Sequence, residues 1–393
     1  MDVRSVAAAL EPEVPRRIRV AVDAMGGDHG PSEVVPGVLD WARANPGTDV
    51  LLVGEEAQVA PHVGAGLPDH VTLVPASELV AMDEQPAAAV RRKRDASINV
   101  AMRLVREGRA DAVVTAGHTG AGVAAAIIGL GRLPGVDRPA LAVQMVSEKG
   151  PFVLLDIGAT TDSTGLNLAQ YARMGSLFAE RVLGVPHPSI GLLSIGEEEG
   201  KGEARVQVAT GLLSSSDLNF VGNIEGKDLV NHLADVVVCD AAVGNVTIKF
   251  FEGLSGFIFD LLRREFRRPP LGPLAYALMR PGVARIRERF DYERLGGAPL
   301  LGVRGTVIIT HGRAKRRMIG YAVGVGAAAA RAGIPRLIGE AFAPAAHRSR
   351  AGRAGRAALG TAADGDDRAG RPVGAPPVAP GEARAAADVA ATR

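Results

Sequence analysis

The sequence predicts an α/β protein: helices layered on both faces of a mostly parallel β-sheet, an αβα architecture. Two observations lead there. Nine short apolar runs, bounded by Gly, Asp or Pro, alternate with stretches of helical spacing. The runs are also apolar almost throughout, as strands buried on both faces must be.

The runs are "RIRVAVDA" (17–24), "TDVLLVG" (48–54), "HVTLVPA" (70–76), "DAVVTAG" (111–117), "ALAVQMV" (140–146), "FVLLDIG" (152–158), "SIGLLSIG" (189–196), "DVVVCDA" (235–241) and "GTVIITHG" (305–312). Helical patterns between them include 97–107, 166–183 and 314–332. Residues 250–294 keep helical apolar spacing without strands and hold nine arginines against four carboxylates between Arg263 and Arg294, which predicts a helical projection. Residues 1–16 read as a flexible leader, and 17–343 as the α/β domain. Residues 344–393, rich in Ala, Gly, Arg and Pro and lacking aromatics, read as a disordered tail.

Composition narrows the function. The chain has 393 residues, 47% hydrophobic and 22% charged, with a net charge of +2, which gives no sign of a nucleic-acid binder. One cysteine, Cys239, excludes a disulfide framework within the chain and suits a reducing cytoplasm. The first 20 residues carry too short an apolar run for a signal peptide, and no run is long enough to span a membrane.

In a parallel α/β sheet, ligands bind beyond the carboxyl ends of the strands. The loops there are rich in glycine beside Asp, Asn or His. They carry Asp23, Gly26, Gly27 and Asp28; then Gly117, His118, Thr119 and Gly120; then Asp156, Gly158 and Asp162. Further on come Asn223, Glu225 and Gly226; then Asp240, Gly244 and Asn245; and finally His311 and Gly312. One such glycine is usually only a tight turn. Six loops of this kind predict backbone N–H groups exposed to an anionic ligand such as phosphate. "GHTGAG" has the wrong spacing for a dinucleotide fingerprint, and there is no P-loop, no G-x-S-x-G elbow and no zinc spacing among the eight histidines. Cys239, within an apolar run, reads as a buried structural thiol.

Seven blocks, in order "VAVDAMGGDHGP", "MDEQPAAAVRRKRDASINVAMRLVREGRADAVVTAGHTGA", "LLDIGATTD", "FVGNIEGKD", "ADVVVCDAAVGN", "DYERLGGAPLLGV" and "IITHGR", resemble the signature blocks of the bacterial phosphate acyltransferases of the PlsX type. The resemblance spans about 17–343. It implies conversion of acyl-[acyl carrier protein] and inorganic phosphate to acyl phosphate for phospholipid synthesis, with no cofactor and no metal. It implies a fold related to phosphotransacetylases and isocitrate/isopropylmalate dehydrogenases. It also implies a homodimer in the cytoplasm, attached peripherally to the membrane beside a downstream membrane acyltransferase.

Phosphate is itself the nucleophile in that reaction, so the protein's tasks are orientation and oxyanion stabilisation. Lys93, Arg94 and Ser97 lie in a matching block as candidates to neutralise phosphate, with Gly296 and Gly297 from "GGAPLLG" beside the substrate. His118 and His311 are candidates to protonate the leaving thiol or bond phosphate, and Asn245 and Lys249 to stabilise charge. The chain departs from the family at His118 in place of Asn, at Thr160, at Ala241 and Ala242, and at Ala314. Competing readings are a divergent paralogue of weak activity that serves a specialised acyl pathway or binds carrier protein and membrane, and an NAD-dependent dehydrogenase of the isocitrate type.

Overall fold

The computed structural model describes residues 16–343, except 199. The tail expected at 344–393 lies outside the described residues, as does the leader apart from Arg16, whose guanidinium meets Asp111 at 2.7 Å.

One 11-stranded sheet organises the chain, in the order β3-β2-β1-β4-β11-β10-β5-β6-β9-β7-β8. Its strands are β1 (Ile18–Asp23), β2 (Thr48–Gly54), β3 (Val71–Pro75), β4 (Ala112–Thr115), β5 (Ala140–Val146), β6 (Pro151–Leu155), β7 (Ile190–Leu193), β8 (Phe220–Ile224), β9 (Val236–Val238), β10 (Ala298–Leu301) and β11 (Thr306–Ile309). The longer helices are α1 (Pro31–Ala44), α2 (Pro86–Arg92), α3 (Ser97–Arg106), α4 (Thr119–Gly129), α5 (Gly165–Val182), α6 (Ala204–Ser214), α7 (Ala241–Phe266), α8 (Gly272–Arg289), α9 (Arg316–Arg331) and α10 (Ile334–Phe342).

Both faces of the sheet are buried, which is why the strands carry no polar alternation. Val20 and Val22 of β1 pack with Val34 and Val38 of α1 and Ile319 and Val323 of α9. Ala21, between them, joins Ile98 and Met102 of α3 on the other face. In the second half of the sheet, Leu168, Tyr171 and Phe178 of α5 cover Val153 and Leu155. Opposite them Phe152, Leu154, Val237 and Cys239 meet Ile248 and Phe251 of α7.

Local chemistry sets where several helices begin. Pro31 and Glu33 occupy the first turn of α1, where the missing N–H costs nothing and the carboxylate meets the helix dipole. Thr164 and Asn167 form a reciprocal capping box on α5. Asp240 caps α7, accepting from the N–H groups of Ala242 (2.9 Å) and Val243 (3.2 Å).

Two features depart from the sequence expectation. The strand β8, "FVGNI" with its glycine and asparagine, and the strand β10 are not among the nine runs: "APLL" is short, holds a proline and follows a glycine pair, so its strand signal is weak. This strand matters, because β10 pairs antiparallel with both β11 and β5, and β5 pairs antiparallel with β6. The β6–β9–β7–β8 group therefore runs opposite to β3–β2–β1–β4–β11, although each group is internally parallel. The carboxyl-end loops fall into two groups, and the parallel-strand rule gathers loops only within each. The helical segment also starts earlier than residue 250, at Ala241, and divides into α7 and α8.

Candidate functional site

The first group of loops is organised by one carboxylate. Asp23, the last residue of β1, is 3% exposed. The Ser97 hydroxyl, at the start of α3, donates to its Oδ1 at 2.6 Å. The Thr115 hydroxyl, at the end of β4, donates to its Oδ2 at 2.7 Å. The Met25 N–H adds a bond at 3.3 Å, and the Gly26 N–H also supports the charge. Burial nevertheless pushes the Asp23 carboxyl above its ordinary range, and the hydrogen bonds oppose that rise without cancelling it.

This arrangement presses two glycine loops together. A methyl at Gly26 would lie 2.8 Å from both Asp23 Oδ2 and the Gly117 nitrogen, so only glycine permits the approach. Gly27 has a φ of +91°, and a side chain there would meet the Gly312 carbonyl at 3.0 Å. The Asp28 N–H donates to that same carbonyl at 2.8 Å, tying the loop after β1 to the loop after β11. Thr310 Oγ1 bonds the Gly296 carbonyl, bringing the Gly296–Gly297 pair to the same end of the sheet.

His118 caps α4: its Nδ1 accepts from the Gly120 N–H at 3.0 Å. His311 Nδ1 accepts from the Arg313 N–H at 3.3 Å. In each neutral ring the proton then sits on Nε2, which leaves each side chain one N–H donor. The amide N–H groups of Gly27, His118 and Thr119 have no acceptor among the described residues. His118 lines a narrow cleft with Asp23, Gly26, Ser97, Gly117 and Leu79, and Gly27 and Thr119 directly follow Gly26 and His118 in the chain. Such N–H groups at a helix start suit an anion.

Lys93 and Arg94 lie just before α3, but not as free cations aimed at this cleft. Lys93 Nζ donates to Glu84 Oε2 at 2.5 Å and to the Leu79 carbonyl at 2.9 Å. Arg94 and the Asp28 carboxylate are exposed.

The second group is organised by Asp156, which is fully buried. Its oxygens accept from the N–H groups of Leu141 (2.9 Å), Gly158 (3.0 Å), Ala159 (2.9 Å) and Thr160 (2.8 Å). The carboxylate thus fills the backbone nest that glycine-rich sequence offered to a ligand. Burial raises its pKa. A methyl at Gly244 would run into the Asp156 carbonyl oxygen, so this glycine lets α7 pack against the turn. Asp162 pairs with Arg138 at 3.0 Å on the surface. Buried Asn223 accepts from Thr210 and donates to the Glu198 carbonyl, and Glu225 pairs with Lys227 at 2.6 Å. Gly226 and Lys249 are exposed and Asn245 is half-buried. Cys239 is buried, its thiol pushed well above the usual range by burial. Among the described residues no group of three or more His, Cys, Asp or Glu is placed to hold a metal.

Sequence reasoning missed Thr115, Glu84 and Leu79. Thr115 had a usable signal, a polar residue ending an otherwise apolar strand. Glu84 and Leu79 had none, since no local spacing rule joins them to Lys93.

A sequence model of the family described as "Fatty acid synthesis protein" matches residues 18–337. The phosphate acyltransferase of Heliobacterium modesticaldum is 46% identical over 311 residues, covering 78% of this chain and 92% of that protein. The chain belongs to this family. A second member, the phosphate acyltransferase of Nitratidesulfovibrio vulgaris strain DP4, is 48% identical over 311 residues, covering 78% and 90%. Among solved structures, a phosphotransacetylase from Streptococcus pyogenes superposes with a TM-score of 0.53 at 18% identity, covering 84% of this chain and 99% of that one. The EutD phosphotransacetylase from Staphylococcus aureus gives 0.51 at 14%, covering 80% and 94%. These two share the fold, as expected from the family's blocks.

Thr115→Val removes a hydroxyl from Asp23 without changing side-chain shape. It should destabilise the chain by about 1–3 kcal/mol in urea unfolding. The loss should grow with pH: with fewer donors the folded pKa of Asp23 rises further, so stability present below the unfolded value of about 3.9 is lost as pH rises. A loss that shrinks from pH 5 to pH 8 would contradict the role given to this bond.

Proposed function

We propose that the chain transfers an acyl group from acyl-[acyl carrier protein] to inorganic phosphate, for phospholipid synthesis. Family membership supports the reaction, and one structural observation supports its place: the unpaired N–H group of His118, which lines the cleft that Asp23 organises, with those of Gly27 and Thr119 next in the chain to the lining residues Gly26 and His118. A phosphate oxygen attacks the thioester carbonyl carbon, the C–S bond breaks, and the carrier leaves as a thiolate that takes a proton. N–H donors hold the oxyanion of the tetrahedral intermediate, each worth about 3 kcal/mol of barrier. His118 and His311, with Nε2–H available, hydrogen-bond phosphate or supply the proton. Neither Ser nor Cys is needed as a nucleophile.

Mixing the protein with palmitoyl-[acyl carrier protein] and phosphate should yield acyl phosphate by mass spectrometry. Gly27→Val should abolish it and lower the melting temperature, since a side chain at φ +91° meets the Gly312 carbonyl, so the comparison is made on protein whose circular dichroism is native. His118→Ala should slow phosphate-dependent thiol release about 100-fold. Native rates from folded Gly27→Val would remove the first loop group from the reaction.

The same reading carries a homodimer and peripheral attachment to the cytoplasmic face of a membrane, beside an acyltransferase that consumes acyl phosphate. The surface of α7 and α8 supports it. Phe250 is 69% exposed and Leu278 76%, with Phe257, Ile258 and Leu261 also exposed. Phe266 instead packs on Tyr276, and no helix among the described residues is long and apolar enough to cross a membrane. Arg263, Arg264, Arg267 and Arg268 adjoin this surface, each worth about 1 kcal/mol near anionic lipid. Changing these four to glutamine should cut flotation with anionic vesicles. Unchanged flotation would leave the apolar faces to dimer contact alone.

A further inference from the structure

The segment 77–85, "SELVAMDEQ", crosses the carboxyl ends of the first strand group as a strap. Leu79 and Val80 line the cleft with Asp23, Gly26, Gly117 and His118, and the Met82 methyl comes within 3.0 Å of where a Gly312 side chain would begin. Leu79 and Met82 are 36% and 40% exposed. The cleft itself holds about 10 Å³, and Leu79 and Met82 stand at its rim, so the N–H groups and these two side chains set a polar and an apolar surface side by side, the pair that an anion joined to an alkyl chain would use.

The strap is clamped from below. Lys93 Nζ holds the Leu79 carbonyl at 2.9 Å and Glu84 Oε2 at 2.5 Å. Glu84 Oε2 also accepts from the Ala81 N–H at 3.0 Å, and its Oε1 from Arg92 at 2.6 Å. Lys93 holds the Glu84 carboxyl below its ordinary range. At the other end, Asp95 accepts from the Ser77 N–H (2.9 Å) and hydroxyl (2.7 Å), and the Ser97 N–H donates to the Glu78 carbonyl at 2.9 Å. The same Ser97 donates to Asp23, so the strap and the glycine loops share one support.

We propose that Leu79–Met82 is the acyl-selecting wall of the site, and that Lys93, with Glu84, is a positioning residue that sets this wall rather than a phosphate ligand. The proposal rests on the acyltransferase reading for the identity of the chain it selects. The alkyl chain then lies across the outer faces of Leu79 and Met82 rather than inside the narrow cleft; a bulkier residue at 79 obstructs that path, and release of the clamp blurs the selection.

The test uses the full chain with octanoyl- and palmitoyl-[acyl carrier protein]. Leu79→Trp should lower the palmitoyl-to-octanoyl ratio of kcat/KM at least about tenfold, within the range that a few methylenes command. Lys93→Met should raise KM for the acyl donor, leave KM for phosphate unchanged and speed amide hydrogen exchange across 79–84. Lys93→Arg, able to reach the same two acceptors, should restore the slow exchange. A raised KM for phosphate with an unchanged chain-length profile would overturn the proposal and make Lys93 a phosphate ligand. Exchange is read without turnover, so unchanged exchange in Lys93→Met overturns the clamp whatever the activity. A wild-type chain that forms no acyl phosphate would overturn the acyltransferase reading and the acyl wall with it, and the clamp would be decided by exchange alone.

Discussion

A buried carboxylate is costly unless hydrogen bonds replace the water it has lost, and Asp23 meets that cost with donors from three separate elements. Ser97 comes from the start of α3, Thr115 from the end of β4, and two N–H groups from its own loop. The charge is satisfied only when those elements arrive together. Their meeting brings Gly26 against Gly117 at a distance that no side chain survives. What remains exposed is backbone: N–H groups that the helix start and the loops cannot satisfy internally. The anion site proposed for this chain is a by-product of how the internal anion is held.

Asp156 repeats the device with a different outcome. It directly follows a strand, β6, and is fully buried, but four backbone N–H groups close around it and none of the four is left for a ligand. The contrast lies in the donors. Asp23 draws on two hydroxyls, sparing backbone N–H groups, whereas Asp156 consumes the backbone itself. Two glycine-rich loops that look alike in sequence thus differ in what they offer to solvent.

The layered architecture was legible because strand and helix periods alternate along most of the chain from β1 to α9, and because strands buried on both faces are apolar almost throughout. The reversal of the sheet was not. It depends on "APLL", four residues with a proline, whose antiparallel pairing is decided by neighbours distant in the chain. The glycines at 26, 27, 117 and 312 were readable as places of close approach, since a strand-to-helix turn does not need so many. The roles of charged residues were harder. Lys93 reads as a phosphate ligand until Glu84 and the Leu79 carbonyl are seen to occupy it. Asp240 reads as a ligand-facing acid and is a helix cap. Charge in a sequence shows that a partner is needed and does not say which.

The central claim, that Asp23 holds the phosphate site together, is tested most directly by titrating inorganic phosphate into the protein without acyl donor, for wild type and Asp23→Asn. Removing a negative charge near an anion site should by Coulomb's law tighten binding. If the carboxylate is instead the brace for the loops, Asp23→Asn binds phosphate about tenfold more weakly, a loss of about 1.4 kcal/mol, while remaining folded. Equal or tighter phosphate binding in a folded Asp23→Asn protein would contradict the account.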